Sequence, residues 1–268
     1  MNVGDVARRL LDIWDSGASI EPITQGDPSF DLDAAYAVLG EIESVRRADG
    51  WHPVGRKIGF TNRTLWEPYG VDAPMWARVW DRTLIDAPDG VATVSLRFPE
   101  LRAEPEVAFG LASALGPTDD PADVLAATAW IAASFELVWS PYPGWRFALP
   151  DCAACFGLHG ALVVGPRLPL DTTARDALVD ALPRVKVTLS RDGEVVDRGV
   201  GSNVLGGPAH ALAHLTKVLA TQDAFEPLAA GEIVTTGTIT DAAYVTPGET
   251  WTSHYNGVDL EGITLTIA

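Results

Sequence analysis

The stretch RAEPEVAFGL, residues 102–111, sets two glutamates into an apolar run with a single proline between them. Read as a β-strand, alternate residues share a face, so Glu104 and Glu106 project together while Ala103, Pro105 and Val107 point the other way. Two adjacent carboxylates repel; buried without compensation, one takes up a proton or the fold loses about several kcal/mol. A hard divalent cation removes the conflict, because Mg²⁺ and Mn²⁺ prefer carboxylate oxygens. The same spacing also fits an exposed edge strand, where Pro105 is tolerated and both acids are solvated. Glu136, a lone acid in the strand-like run SFELVW (134–139), is the candidate third ligand.

Outward from this stretch the texture is β-rich. The runs VATVSLRF (91–98), GALVVG (160–165), VKVTLS (185–190), EVVDRGV (194–200), EIVTTGTI (232–239) and GITLTI (262–267) are separated by Gly, Pro and Asp turns. Asp192-Gly193 between two of them is a two-residue hairpin signal. The first ninety residues read as mainly helical: VGDVARRLLDIWDSG (3–17) and DLDAAYAVLGEIESVRRADG (31–50) carry apolar residues at helical spacing. Two further helices are predicted within the β-rich part. DPADVLAATAWIAAS (120–134) has Asp120 as N-cap and Pro121 at the first helical position, and PAHALAHLTKVLATQ (208–222) opens on Pro208. The expectation is an α+β chain in which a helical part, residues 1–90, packs on a β-rich catalytic part, residues 91–268.

Bulk composition narrows the function. The chain has 268 residues, 47% of them hydrophobic, without an apolar run long enough for a membrane span. Its start lacks the pattern of a secretory signal, and two cysteines are too few for a disulfide framework, so a cytoplasmic protein is expected. Nineteen basic against thirty-six acidic residues give a net charge of −17, which disfavours nucleic acid or an anionic membrane as partner. A small anionic substrate then needs a site of locally reversed sign, supplied by a metal ion or a buried cation. Lys57, between Gly55 and Gly59 in VGRKIGFTN (54–62), is the candidate cation, although the segment by itself reads more readily as a snorkelling surface lysine on a short strand.

These pieces recur in a recognisable order. GRKIGFTN, YGVDAP, DRTL, AEPEVAFGL, FELVWS, GSNVLGGPAHAL, AGEIVTTGTIT and VTPGETW resemble the 2-oxopent-4-enoate hydratase and 4-oxalocrotonate decarboxylase family of the fumarylacetoacetate hydrolase superfamily, from about residue 35 onward. The resemblance implies a mixed β-roll or sandwich with a smaller helical N-terminal part. It also implies that Glu104, Glu106 and Glu136 bind Mg²⁺ or Mn²⁺, that Lys57 is catalytic with Asp72 beside it, and that Thr236, Gly237 and Thr238 line the substrate pocket. The implied activity is hydration of a small 2-hydroxy-2,4-dienoate or 2-oxo-4-enoate. A related decarboxylase, an acylpyruvate hydrolase and a silent scaffold homologue are the alternatives. The implied assembly is a homo-oligomer, in this family often associated with a related enzyme.

The chain departs from the family's pattern. Where VADNASS is common it has AACFGLH (153–159), so Cys155 and Phe156 replace an Asp-Asn pair and His159 appears nearby as a candidate acid/base substitute. Trp139 and Met75 stand where aspartates are common. Cys152 and Cys155 have redox-motif spacing but run on into a strand, and His210 and His214 lack the glutamate of the zinc-protease pattern; neither pair is expected to be functional.

Overall fold

A computed structural model describes residues 2–95 and 98–268. In chain order its elements are α1 (Val3–Ser16), α2 (Ile23–Gly26), α3 (Leu32–Ala48), β1 (Pro53–Gly59), α4 (Trp66–Tyr69), β2 (Met75–Trp80), β3 (Leu84–Asp86), β4 (Val91–Val94) and β5 (Arg102–Leu111). Then follow α5 (Pro121–Ala126), β6 (Thr128–Val138), α6 (Leu149–Ala154), β7 (His159–Pro169), α7 (Thr172–Ala181), β8 (Lys186–Arg191) and β9 (Glu194–Val200). The chain closes with α8 (Pro208–Leu219), β10 (Ile233–Thr235), β11 (Ala243–Tyr244), β12 (Thr250–Asn256) and β13 (Thr264–Ile267).

The fold is α+β, as the sequence predicts. Seven strands form a mixed sheet in the order β2-β1-β10-β5-β6-β7-β3, with β11 added against the start of β5; a second sheet runs β4-β13-β12-β8-β9. The two long N-terminal helices start where short polar side chains cap them: Asn2 accepts from the N–H groups of Gly4 and Asp5, and Asp31 accepts from that of Ala34. Asp192 and Gly193, both at positive φ, make the predicted hairpin between β8 and β9.

The long helices of the first ninety residues end at Ala48; from Pro53 the chain supplies β1, β2 and β3 to the larger sheet, with the one-turn α4 between β1 and β2. The helix expected over 120–134 stops at Ala126, and Thr128–Val138 is strand β6. An alanine-rich run has high helix propensity, but here small side chains are what a sheet interior requires: Ala132 and Ala133 are fully buried, and the Trp130 ring fills the space above Gly110. Of the expected run 91–98, Val91–Val94 is strand β4, and residues 96 and 97 lie outside the described residues.

Strand β5 lies in the middle of the larger sheet, which removes the edge-strand alternative. Pro105 is accommodated because it lies between the stretch paired to β11, residues 102–103, and the stretch paired to β10, residues 108–110. In that gap its carbonyl accepts from Ile239 N–H and no ladder partner needs the missing amide proton.

Candidate active site

Antiparallel pairing of β5 with β6 sets Glu104 directly opposite Glu136, with Glu106 two residues along the same face. One carboxylate oxygen from each of the three lies within 4.8 Å of the others, and among the described residues this is the one such cluster of three or more metal-capable side chains. At an effective dielectric of about 20, two unit charges at that separation repel by about 3 kcal/mol. Glu106 and Glu136 are fully buried. Burial, with Glu136 adding to it and Lys57 opposing, pushes the Glu104 carboxyl up to about 7. Burial and both neighbouring glutamates push Glu106 well above the usual range.

Lys57 comes from β1, which joins the sheet by pairing in parallel with β10. Its ammonium lies 3.1 Å from Glu136 Oε2 and donates to the Gly157 carbonyl at 2.9 Å. Burial alone would lower its pKa, but the three glutamates outweigh burial and raise it, so the side chain is a fixed positive charge. Burial also works against an ionised Glu136, yet Lys57 and His159 hold that carboxyl below its ordinary range. The Gly157 carbonyl is delivered by a turn, Phe156–Leu158, in which all three residues have positive φ of 54° to 61°. Two of them are not glycine, a form of backbone strain that concentrates at functional sites.

Gly237 follows β10 at φ +93°, where a Cβ would sit 1.8 Å from Thr61 Oγ1, and its N–H donates to Glu106 Oε2 at 2.7 Å. Two buried carboxylate oxygens, Glu106 Oε1 and Glu136 Oε2, accept no hydrogen bond, the latter having only the Lys57 ion pair. Bare, buried, convergent carboxylate oxygens fit the hard-donor set of a Mg²⁺ or Mn²⁺ ion.

The cluster opens through Glu104 on a cavity. Lys57, Glu104, Gly237 and Thr238 contribute to its lining, while Phe60, Leu65, Met75, Val138, Phe147 and Leu158 make much of the rest apolar. Three expected site residues are elsewhere. Asp72 is exposed and does not line the cavity, because the chain turns into β2 with Met75 facing inward instead. Thr236 donates its hydroxyl to the Val107 carbonyl and holds the loop rather than lining it. His159 is buried behind Glu136, with Nδ1 2.8 Å from Glu136 Oε1 and Nε2 2.8 Å from Thr83 Oγ1, so it has no access to the cavity.

Among the departures, Met75 lines the cavity, whereas Trp139 stacks on Phe98 at 4.2 Å and Phe156 packs on Trp14 at 4.8 Å, both away from it. The thiols of Cys152 and Cys155 are buried, and burial pushes both up, away from redox reactivity. Sequence reasoning missed Thr83 and Arg102. The Arg102 guanidinium hydrogen-bonds the hydroxyls of Tyr69 and Tyr244 and lies 4.0 Å from the Trp145 ring centre. Its place two residues before Glu104, on the same strand face, was the available signal.

Fold and site together define an α+β chain with a carboxylate-rich small-molecule pocket set in a mixed sheet. The chain belongs to the family of the fumarylacetoacetate hydrolase C-terminal domain, whose model matches residues 79–264. It is 32% identical to the 2-hydroxyhexa-2,4-dienoate hydratase of Comamonas testosteroni over 87% of this chain and 85% of the relative. It is also 32% identical to a 4-oxalocrotonate decarboxylase of Pseudomonas sp. strain CF600, over 92% and 89% of the two chains. Among solved structures, the 4-oxalocrotonate decarboxylase of Pseudomonas putida G7, complexed with magnesium and adipate, superposes with a TM-score of 0.88 at 25% identity, covering 99% of this chain and 97% of that one.

Proposed function

We propose that the chain is a divalent-metal-dependent hydratase that adds water to a small 2-hydroxy-2,4-dienoate or its 2-oxo-4-enoate tautomer. The observation that carries this reading is the convergence of Glu104, Glu106 and Glu136, two with a bare buried oxygen, beside a charged lysine at a mainly apolar cavity. Glu104, Glu106 and Glu136 would hold Mg²⁺ or Mn²⁺, in line with the magnesium complex of the similar decarboxylase. Once bound, the ion supplies Lewis-acid polarisation of the substrate's carboxylate and C2 oxygen.

The chain's own residues do the remainder. Three carboxylates around a doubly charged ion leave about one net negative charge by formal count, and the Lys57 ammonium offsets it so that an anionic substrate can approach. Lys57 also stays in reach of the substrate's oxygens as negative charge builds on them. Gly237 and Thr238 form one wall, and Phe60, Leu65 and Phe147 receive the hydrocarbon tail and exclude bulk water.

The same apolar lining favours hydration over decarboxylation of a dicarboxylate. Among the described residues Lys57 is the one cation lining the cavity, and the nearby Arg102 guanidinium is engaged with the Tyr69 and Tyr244 hydroxyls and the Trp145 ring. The reading extends to a cytoplasmic homo-oligomer acting on a small 2-oxo acid, associated with a related enzyme; light scattering of the pure protein and of the mixture tests that part.

The activity is tested by stripping the protein with EDTA, restoring Mg²⁺ or Mn²⁺, and following dienoate absorbance with product mass. Metal-dependent gain of one water is expected. Loss of CO₂ or cleavage into two products would replace hydration by decarboxylation or hydrolysis, and activity indifferent to chelation would remove the metal role. Metal uptake without turnover of any 2-oxo acid would make the chain a silent homologue.

A further inference from the structure

We propose that His159 is a positioning residue for Glu136: its Nδ1–H clamps Oε1 so that Oε2 alone is presented to Lys57 and the cation. The proposal rests on the metal-site reading above and concerns a histidine that the family resemblance leaves without a role.

Its first support is the shape of the hydrogen-bond chain. Glu136 can only accept, so the Nδ1 atom 2.8 Å away must carry a proton. Nε2 then faces Thr83 Oγ1 at 2.8 Å, and in the neutral ring it accepts the threonine's single hydroxyl proton, for which the Trp80 carbonyl at 3.1 Å is the longer, competing acceptor. Thr83 is itself held. Its hydroxyl oxygen accepts from Trp80 N–H at 3.2 Å, and its carbonyl accepts from Leu162 N–H at 2.8 Å. Leu162 is the β7 residue paired with Glu136 across the sheet, so clamp and ligand share one rigid frame. His159 and Glu136 are at most 1% exposed and Thr83 is 5% exposed, which leaves no place for water to take over the role.

The second support is a repeated pattern. Each of the cluster's two fully buried carboxylates has one oxygen held by an N–H donor and the other without a hydrogen bond, Glu136 Oε2 keeping only the Lys57 ion pair. For Glu106 the donor is Gly237 N–H at 2.7 Å, and for Glu136 it is the His159 ring. A carboxylate fixed at one oxygen and free at the other is preorganised to bind an ion through a single oxygen. Because His159 does not line the cavity, it cannot itself exchange a proton with substrate, and positioning is the role its geometry allows.

The test is Mn²⁺ affinity of the metal-stripped protein, read by paramagnetic resonance of free Mn²⁺, together with urea stability without metal. His159→Asn keeps a donor close to the Nδ1 position, His159→Gln places one near Nε2, and His159→Leu keeps neither. The leucine variant should bind Mn²⁺ about 10- to 100-fold more weakly, the asparagine variant should recover most of that loss, and the glutamine variant should not. Equal affinity in wild type and the leucine variant, or recovery by glutamine as good as by asparagine, overturns the proposal, because a packing role depends on side-chain volume and not on which atom donates. If the leucine variant does not fold, Thr83→Val decides: it leaves the ring in place but frees Nε2, and it should weaken Mn²⁺ several-fold, unchanged affinity overturning the clamp. Wild-type protein that takes up no Mn²⁺ removes the metal reading and the clamp together, whereas strong wild-type binding with an unaffected leucine variant removes only the clamp.

Discussion

Lys57 is pulled in two directions, towards the Glu136 carboxylate at 3.1 Å and towards the Gly157 carbonyl at 2.9 Å. Removing a buried charge partner leaves the other charge uncompensated, which normally destabilises by about 3–5 kcal/mol. Here a divalent ion can take over the compensation. Lys57→Ala is therefore expected to bind Mn²⁺ at least as well as wild type while losing about 100-fold or more in kcat, the scale of a proton-handling group. Parallel Mn²⁺ titration and dienoate assays check this, and a variant that loses metal but keeps turnover would contradict it. The two glutamates of β5 were legible because alternation puts both on one face whatever the rest of the fold does. His159's true place was not, since the hydroxyl that receives its ring lies seventy-six residues earlier in sequence. Asp72 misled for a related reason: a residue type at a family position does not say that the local backbone turns it inward.

At the scale of elements, Gly55 fixes how close β1 can come to β10. A Cβ at this position would fall 1.9 Å from the Ile233 carbonyl oxygen, so the parallel pairing that carries Lys57 tolerates only glycine. Gly55→Ala should separate the strands and cost about 1–3 kcal/mol in urea unfolding, with a parallel fall in kcat because Lys57 sits two residues on. Full stability and activity in that variant would mean the strand pair adjusts without moving the lysine. Strands with clear alternation and turn punctuation, such as β8 and β9, were readable from sequence. β2 was not: Met75–Trp80 is buried throughout, including Arg78, whose guanidinium pairs with Glu43 of α3 at 2.9 Å. A strand buried on both faces has no period-2 signature to read, and the alanine-rich start of β6 mimics a helix for the same reason.

Across the whole molecule, the acid cluster makes stability depend on pH and metal together. Glu104 rises from an ordinary 4.5 to about 7 in the folded chain, and Glu106 is pushed up as well. A carboxyl whose folded value exceeds its unfolded value stabilises the fold while protonated and loses that contribution as pH climbs through the folded value. The metal-stripped protein should accordingly show a falling Tm between about pH 5 and pH 8 from these groups. Saturating Mn²⁺ should flatten the decline, since the ion replaces the protons and binds the folded chain in preference to the unfolded one. Thermal scans at several pH values, with and without Mn²⁺, test this; a stripped protein whose Tm rises steadily over that range would refute it.

The strained turn at Phe156–Leu158 ties distant parts of the chain to one ammonium group. Gly157 grips the lysine, Leu158 walls the pocket, and Phe156 lies 4.4 Å from the guanidinium carbon of Arg46 in α3 and 4.8 Å from the Trp14 ring of α1. The opening helices thus act as ballast for the turn that grips the lysine. Removing only α1 to α3 would keep every acidic ligand and the lysine's own strand, and still let the lysine drift.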